Sequence, residues 1–425
     1  MAIGLSGLPA STPEDEAAGQ KATAGRRQWH VEGVPRARAG AEAAAPAGGP
    51  SPAAPHCDSR LLKKSLAHLE PQSEKVMAYF FAALFVRNPE LRPLFPLALD
   101  IHRKRVFEAV SRCVWASDRP ESPTQWLREL ALDHRKYGVT ESHYQPFCDA
   151  LLMSFRAFSG QSWSPQTEAA WQQALDHAAT TMADSVRSSA DCPPWWVADV
   201  IEHDRRRPNL AVLTLRLDQD LPYRPGQHVS IQVPRWPRVW REYSIANASA
   251  ADRLLRLHVR AVPGGMVSSV LVHQTRVGDS LIVGRARGDM TADAARSHTV
   301  VCIAGGTGLA PVKAIVETLT SPHKRLPRPD VCMFVGARQK ADLYDLPDLR
   351  RLESTCPSLA VIPVISHEPD FAGPRGLLSD VAGSHLPPGT GDVFVSGPPA
   401  MVTRTAAIAA ARAPRARIHL DPQPS

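Results

Sequence analysis

Between residues 58 and 190 apolar positions recur every three to four residues. In MAYFFAALF, Met77, Phe81, Leu84 and Phe85 fall at i, i+4, i+7 and i+8. Farther on, Tyr144, Phe147, Leu151, Phe155 and Phe158 follow one another at spacings of three or four. Apolar residues at that period share one face of an α-helix. Asn88-Pro89, Pro93, Pro96 and the polar run SDRPESP break the pattern into separate helices. An all-helical domain over 57–190 is expected. After SADCPPWW the texture changes to short β-rich runs, AVLTLRL, HVSIQV, REYSIA, LLRLHVRAV and LIVG. Strands this short and closely spaced predict a small antiparallel β-barrel over 194–295. From about Ser297 the runs VVCIAGG, CMFVGA, AVIPVIS and DVFVSG alternate with helical stretches, which predicts an α/β domain with a parallel sheet over 297–425. The fold class is thus multidomain: all-α, then antiparallel barrel, then α/β.

Residues 1–56 are rich in Ala, Gly, Pro and Arg and carry no sustained apolar period. Such a segment buries too little surface to offset chain entropy and reads as a disordered leader. A start codon placed too far upstream gives the same composition. The remaining bulk properties exclude more than they assign. The 44% apolar and 21% charged content fits a globular protein, and no run of 18 apolar residues predicts a membrane span. No basic segment followed by an apolar one marks a secretory signal. The seven cysteines lie far apart with no CxxC pair, which points to reduced thiols in a cytoplasm rather than to an iron–sulfur cluster or structural zinc. The net charge of +7 is spread over 425 residues without a basic stripe, so no nucleic-acid partner is expected.

Candidate chemistry begins in the barrel segment. REYS, Arg241 to Ser244, ends a predicted strand shortly after PGQH. Tyr243 can lie against a flat ring, Ser244 can reach a ring nitrogen, and Arg241 can pair with a pyrophosphate, although the same residues suit an ordinary edge strand. GGMVS, Gly264 to Ser268, opens a short helix whose first backbone N–H groups can meet an anion. In the α/β segment, AGGTGLAP, Ala304 to Pro311, lies between the strand VVCI and the helix VKAIVETL, the strand–turn–helix geometry that binds a dinucleotide pyrophosphate. VSGPPAM then falls at the C-terminal end of a later strand, where ligands sit in open parallel sheets. Together these elements resemble the ferredoxin–NADP reductase superfamily. The resemblance implies FAD held by Arg241, Tyr243, Ser244, Gly265, Val267 and Ser268, with His228 close by. It implies NADH or NADPH held by Gly305, Gly306, Thr307, Gly308 and Pro311, with Ser396, Gly397 and Pro398 beside the nicotinamide. After FVGA, Arg338 and Lys340 suit a 2′-phosphate while Asp342 and Asp345 oppose one, which leaves the two nucleotides open.

The helical half carries two histidines on apolar faces. His134 continues the face of Leu127, Leu130 and Ala131, and His102 shares one with Val106, Ala109 and Cys113. Either histidine alone suits a satisfied core residue. As a pair on different helices, upstream of a flavin reductase, they suit the two sides of a haem, whose iron takes one imidazole and leaves the other face for a gas. The order VRNPELRPLFP, DIHRKRVF, DHRKYGVTESHY is similar to the globin domain of flavohaemoglobins, most of all the actinobacterial type. That resemblance implies haem b, FAD and NAD(P)H as cofactors, and dioxygen and nitric oxide as substrates of a nitric oxide dioxygenase. It implies no obligate protein partner. It makes His134 the iron ligand, with Tyr144 orienting it, Phe95 packing on the haem, and Phe81 and His102 lining the distal side.

The chain departs from the family at positions that touch chemistry. Phe81 stands where a Tyr is usual, His102 replaces a Gln, and Asp133 precedes the proximal histidine where a Lys is frequent. The acid that completes the proximal relay is missing after Trp171, with Asp184 the nearest candidate. Ser396 replaces a common Cys, and the chain ends IHLDPQPS without the aromatic that often covers the flavin. Two other readings remain: a flavin reductase for another acceptor with a vestigial globin, and an oxygen- or redox-sensing haem protein.

Overall fold

A computed structural model describes residues 58–96, 98–118, 121–249, 252–321 and 328–421. The leader expected over 1–56 lies outside them. The first described elements are helices α1 (Ser59–Leu69), α2 (Ser73–Arg87), α3 (Asp100–Trp115), α4 (Glu121–His134), α5 (Tyr144–Ser159) and α6 (Pro165–Arg187). Their ends carry the expected chemistry. Asp58 caps α1 by accepting from the backbone N–H groups of Arg60 and Leu61 at 3.1 and 3.2 Å, and Ser164 caps α6 ahead of Pro165 at the first helical position. Helix α2 buries Val76, Met77, Phe80, Phe81 and Leu84, so Phe80 joins the predicted stripe while Phe85 only borders the core. The face predicted for α5 is observed, with Tyr144, Leu151 and Phe155 buried and Phe147 and Phe158 packed at the margin. Helix α3 packs on α1 and α2, whereas α4 packs on α6.

Strands β1 (Trp196–Arg207), β2 (Leu210–Leu217), β3 (His228–Gln232), β4 (Trp240–Ser244), β5 (Leu254–Arg260) and β6 (Ser280–Val283) form a sheet of order β4-β3-β6-β1-β2-β5, antiparallel throughout. A bridge from Ile245, just past β4, to Leu257 on β5 joins the two edges and closes the barrel. Helix α7 (Met266–His273) packs on β5 and contributes Val267, Val270 and Leu271 to the barrel core.

The last segment alternates β7 (Thr299–Gly305), α8 (Leu309–Thr320), β8 (Asp330–Ala337), α9 (Leu346–Thr355), β9 (Leu359–Ile365), α10 (Leu378–Ser384), β10 (Asp392–Ser396), α11 (Pro399–Arg412) and β11 (Arg417–Leu420). All pairs in this sheet are parallel, in the order β11-β10-β7-β8-β9. The chain leaves β7 in one direction for β8 and β9, then returns to its other side for β10. The crevice beyond the C-terminal ends of β7 and β10 is therefore the topological switch point, where open parallel sheets bind ligands. Helix α8 is buried along almost its whole length, and one apolar core joins it to β7, β8 and to Leu210 and Val212 of the barrel. No described helix is long and apolar enough to cross a membrane.

Candidate functional site

In the helical domain Phe81, Phe85 and Phe95 form an aromatic cluster with centroids 5.4–5.7 Å apart, Phe95 meeting the other two edge-to-face, and His102 meets Phe95 edge-on at 6.4 Å. This places an apolar lining beside a histidine whose Nδ1 is buried without a hydrogen-bond partner. His134 ends α4, and burial lowers the pKa of its ring against the pull of Asp133. An imidazole on each of two helices with different neighbours, one of them beside an aromatic wall and with an unpartnered nitrogen, fits a flat iron-bearing cofactor. The Tyr144 hydroxyl donates to the Ala131 carbonyl at 3.4 Å, not to the His134 ring, so it fixes the helix one turn ahead of the histidine. Asp184 does not stand behind His134. It is exposed and pairs with Arg187 at 2.7 Å, because its position on α6 faces solvent.

The acid nearest His134 in sequence is Asp133, which is buried and lies 2.7 Å from Lys136 Nζ and 3.4 Å from Arg287 Nη1. Burial opposes its charge, yet Lys136 and Arg287 hold its carboxyl below the usual value. Lys136 also donates to Ser230 Oγ on β3 at 3.0 Å and lies over the rings of Tyr137 and Trp240. Tyr137 and Trp240 meet edge-on at 6.4 Å. Since Trp240 begins the strand that ends in Arg241–Ser244, the turn carrying His134 docks directly on the strand of the REYS motif. Arg287 continues the chain of charges to Glu242, which lies 3.8 Å from His228 Nε2. Burial lowers the His228 pKa against the pull of Glu242. Sequence reasoning missed Lys136, Glu242 and Arg287, although Lys136 follows His134 by two residues and Glu242 sits inside REYS.

A second cleft opens between the barrel and the parallel sheet. His228, Tyr243 and Ser244 line one side, and Gly305–Gly308, Gly397 and Pro398 the other. Arg241 is not among the residues that line the cleft; it is exposed, with Nη1 on the Trp240 carbonyl at 2.8 Å. Gly306 has φ +59° and Gly308 backs so closely on the next turn that a Cβ would lie 2.4 Å from the Ser396 carbonyl carbon. Only glycine permits this contact between the two turns at the switch point. Pro311 is buried in the first turn of α8, and the Val267 side chain lies in the barrel core. Any ligand contact by either is thus through backbone or packing. Gly265 precedes α7 as its N-cap and Ser268 Oγ accepts from the Val262 N–H at 3.3 Å. Ser396 is buried and donates to Asp421 at 2.9 Å. Asp421, another residue missed from sequence, lines the cleft, and burial raises its pKa. Of the acids weighed against a 2′-phosphate, Asp342 pairs with Arg207 at 3.1 Å and Asp345 with Lys313 at 2.7 Å, while Arg338 and Lys340 are exposed.

Comparison with known proteins matches residues 78–182 to the globin family, 198–291 to the oxidoreductase FAD-binding domain and 302–407 to the oxidoreductase NAD-binding domain. A flavohemoprotein of Deinococcus radiodurans is 26% identical over 369 residues, covering 80% of this chain and 89% of that protein. The chain thus carries a globin domain followed by FAD-binding and NAD-binding oxidoreductase domains, the domain order of the flavohemoproteins it resembles. The fold agrees: a flavohemoglobin from Malassezia yamatoensis, solved with bound FAD and heme, superposes with a TM-score of 0.69 over 87% of this chain and 99% of that one, at 16% identity. The flavin and nicotinamide half also resembles the reductase subunit of an aromatic O-demethylase of Amycolatopsis sp., 36% identical over 211 residues. That match covers 48% of this chain and 60% of the relative, so the chain spans only part of the reductase components it matches.

Proposed function

We propose that the chain is a nitric oxide dioxygenase that draws electrons from NAD(P)H through FAD to haem b and converts dioxygen and nitric oxide to nitrate. The observation that carries this reading is the docking of the His134 turn on the β4 strand through Lys136, Tyr137 and Trp240. Bound flavin supplies the exchange between two-electron and one-electron chemistry, and haem iron supplies the centre for the gases. His134 holds the iron, and Tyr144 holds the last turns of α4 in register. Phe81 and Phe95 keep the distal side dry, and with no hydroxyl at Phe81 it falls to His102 to offer a hydrogen-bond donor there. In the cleft, Tyr243 and Ser244 seat the flavin, while the Gly305–Gly308 turn and the start of α8 receive the nicotinamide dinucleotide pyrophosphate. Ser396 and Asp421 stand beside the nicotinamide position. These residues would hold both rings in one cleft, beside the strand on which the globin turn docks.

A second reading, a reductase that serves a separate oxygenase, is favoured by the 36% identity to the O-demethylase reductase subunit. The deciding experiment supplies nitric oxide to the holoprotein with NADPH or NADH in air. Nitrate formed in step with the nitric oxide consumed supports the dioxygenase. Failure to form nitrate, with fast reduction of an added ferredoxin, supports the second reading.

A further inference from the structure

Strand β5 alternates between two environments. Leu255, Leu257 and Val259 are fully buried in the barrel core, while His258 and Arg260 face the other way and line the cleft opposite the Gly305–Gly308 turn. The bridge between Ile245 and Leu257 sets the register, and it places Ser244 opposite His258 on the same face. His258 therefore stands beside the residue assigned to the flavin ring.

His258 is 4% exposed, and its two nitrogens differ. Nδ1 lies 2.9 Å from the hydroxyl of Tyr344, a buried residue just ahead of α9 that meets the imidazole edge-on at 5.5 Å. Nε2 is buried with no partner. Burial, with Lys313, Arg256 and Arg206 nearby, keeps the ring neutral, and burial likewise keeps Tyr344 protonated. A neutral imidazole has one donor and one acceptor. If Nδ1 carried the proton, the Tyr344 hydroxyl hydrogen would also lack a partner. The tautomer that pairs most groups has Tyr344 donating to Nδ1 and leaves Nε2–H as the donor. A buried donor left unpaired is a standing cost to the fold, which a ligand acceptor in the cleft would remove.

We propose that His258 donates from Nε2 to an acceptor on the pyrimidine edge of the bound flavin and thereby tunes its reduction, with Tyr344 of the nicotinamide domain fixing the tautomer. This rests on the reading of Arg241–Ser244 as the flavin strand. A donor at that edge stabilises the electron-rich reduced ring more than the oxidised one. His258 is here a flavin contact, and Tyr344 is a positioning residue that acts through it.

The test is a spectroelectrochemical titration of the flavin band in the full-length holoprotein. His258→Phe should lower the equilibrium constant for reduction about tenfold, the effect of one hydrogen bond, which is a shift of about 30 mV to more negative potential. His258→Gln, which retains an N–H donor, should recover most of that loss. Tyr344→Phe should shift the potential in the same direction by less, and it guards against a His258→Phe variant that does not fold. Wild-type potentials in both His258→Phe and Tyr344→Phe would overturn the proposal. So would a change confined to the affinity for NADP+ as probe, which would make His258 a nucleotide contact. A wild-type protein that binds no flavin would instead overturn the reading of the strand itself.

Discussion

The ammonium of Lys136 lies 2.7 Å from the carboxylate of Asp133, the residue before His134, and the same ammonium reaches Ser230 of the barrel at 3.0 Å. A buried lysine thus ties the turn that carries the candidate iron ligand to the domain that carries the flavin motif. Its side chain is 4% exposed, so its partners are not exchangeable for water. Lys136→Met leaves Asp133 with Arg287 as its remaining cation at 3.4 Å. The expected cost is about 3 kcal/mol, as for a buried pair that loses one partner. Stopped-flow kinetics should show flavin reduction unchanged and haem reduction slowed at least about tenfold, since the two groups are no longer held in register. Equal slowing of both steps would remove Lys136 from the interdomain role.

His134→Ala should purify without a Soret band while the flavin absorbance stays at one FAD per chain. The two sites share no side chain, so loss of the iron ligand leaves the cleft intact. Haem retained at wild-type stoichiometry would transfer the ligand role to another residue.

Asp421 should make stability depend on pH. Burial raises its folded pKa above the unfolded value, partly offset by Ser396 and His228. The protonated form is therefore the stabilised one, and its contribution is present below about pH 4 and lost as pH rises through the folded pKa. Asp421→Asn, neutral at every pH, should melt about 2 °C above wild type at pH 7. The gain should vanish in acid, and a gain that persists there would contradict the assignment.

Asp392 predicts the opposite sign. It is fully buried at the N-terminal end of β10, where Arg417 reaches both oxygens at 2.9 and 2.8 Å and His419 donates at 2.9 Å. The backbone N–H groups of Arg296 and Ser297 add two more bonds at 2.9 Å. Burial alone would raise its pKa, but these bonds hold it far below the carboxylate range. Its contribution is present above the unfolded value near pH 4 and lost as pH falls toward the folded one. Asp392→Asn should cost about 3 kcal/mol at pH 7, with the gap to wild type closing in acid denaturation profiles below pH 4.

What could be read from sequence was local. The α5 stripe from Tyr144 to Phe158 and the turn Gly305–Gly308 follow from spacing within about fifteen residues, because helix period and glycine geometry are properties of short segments. The candidate site was partly readable for the same reason: His102 and His134 each declare a helix face. The links between sites were not. Lys136 meets Ser230 across 94 residues and Ser396 meets Asp421 across 25, pairings fixed by tertiary packing alone. Asp184 shows the reverse error. It lies in the right stretch of α6 for the proximal acid, but it faces outward to Arg187. Phe80 enters the α2 core because the helix is covered on more than one side, which a single apolar stripe does not convey.

The central claim is that one chain carries electrons from a nicotinamide nucleotide through flavin to haem. An anaerobic absorbance spectrum of the holoprotein before and after NADPH or NADH tests it most directly. The account predicts a Soret band in the purified protein, bleaching of the flavin on addition of reductant, and a shift of the Soret band to the ferrous position. Flavin bleaching without any Soret shift would contradict it and leave the cleft serving an acceptor outside the chain.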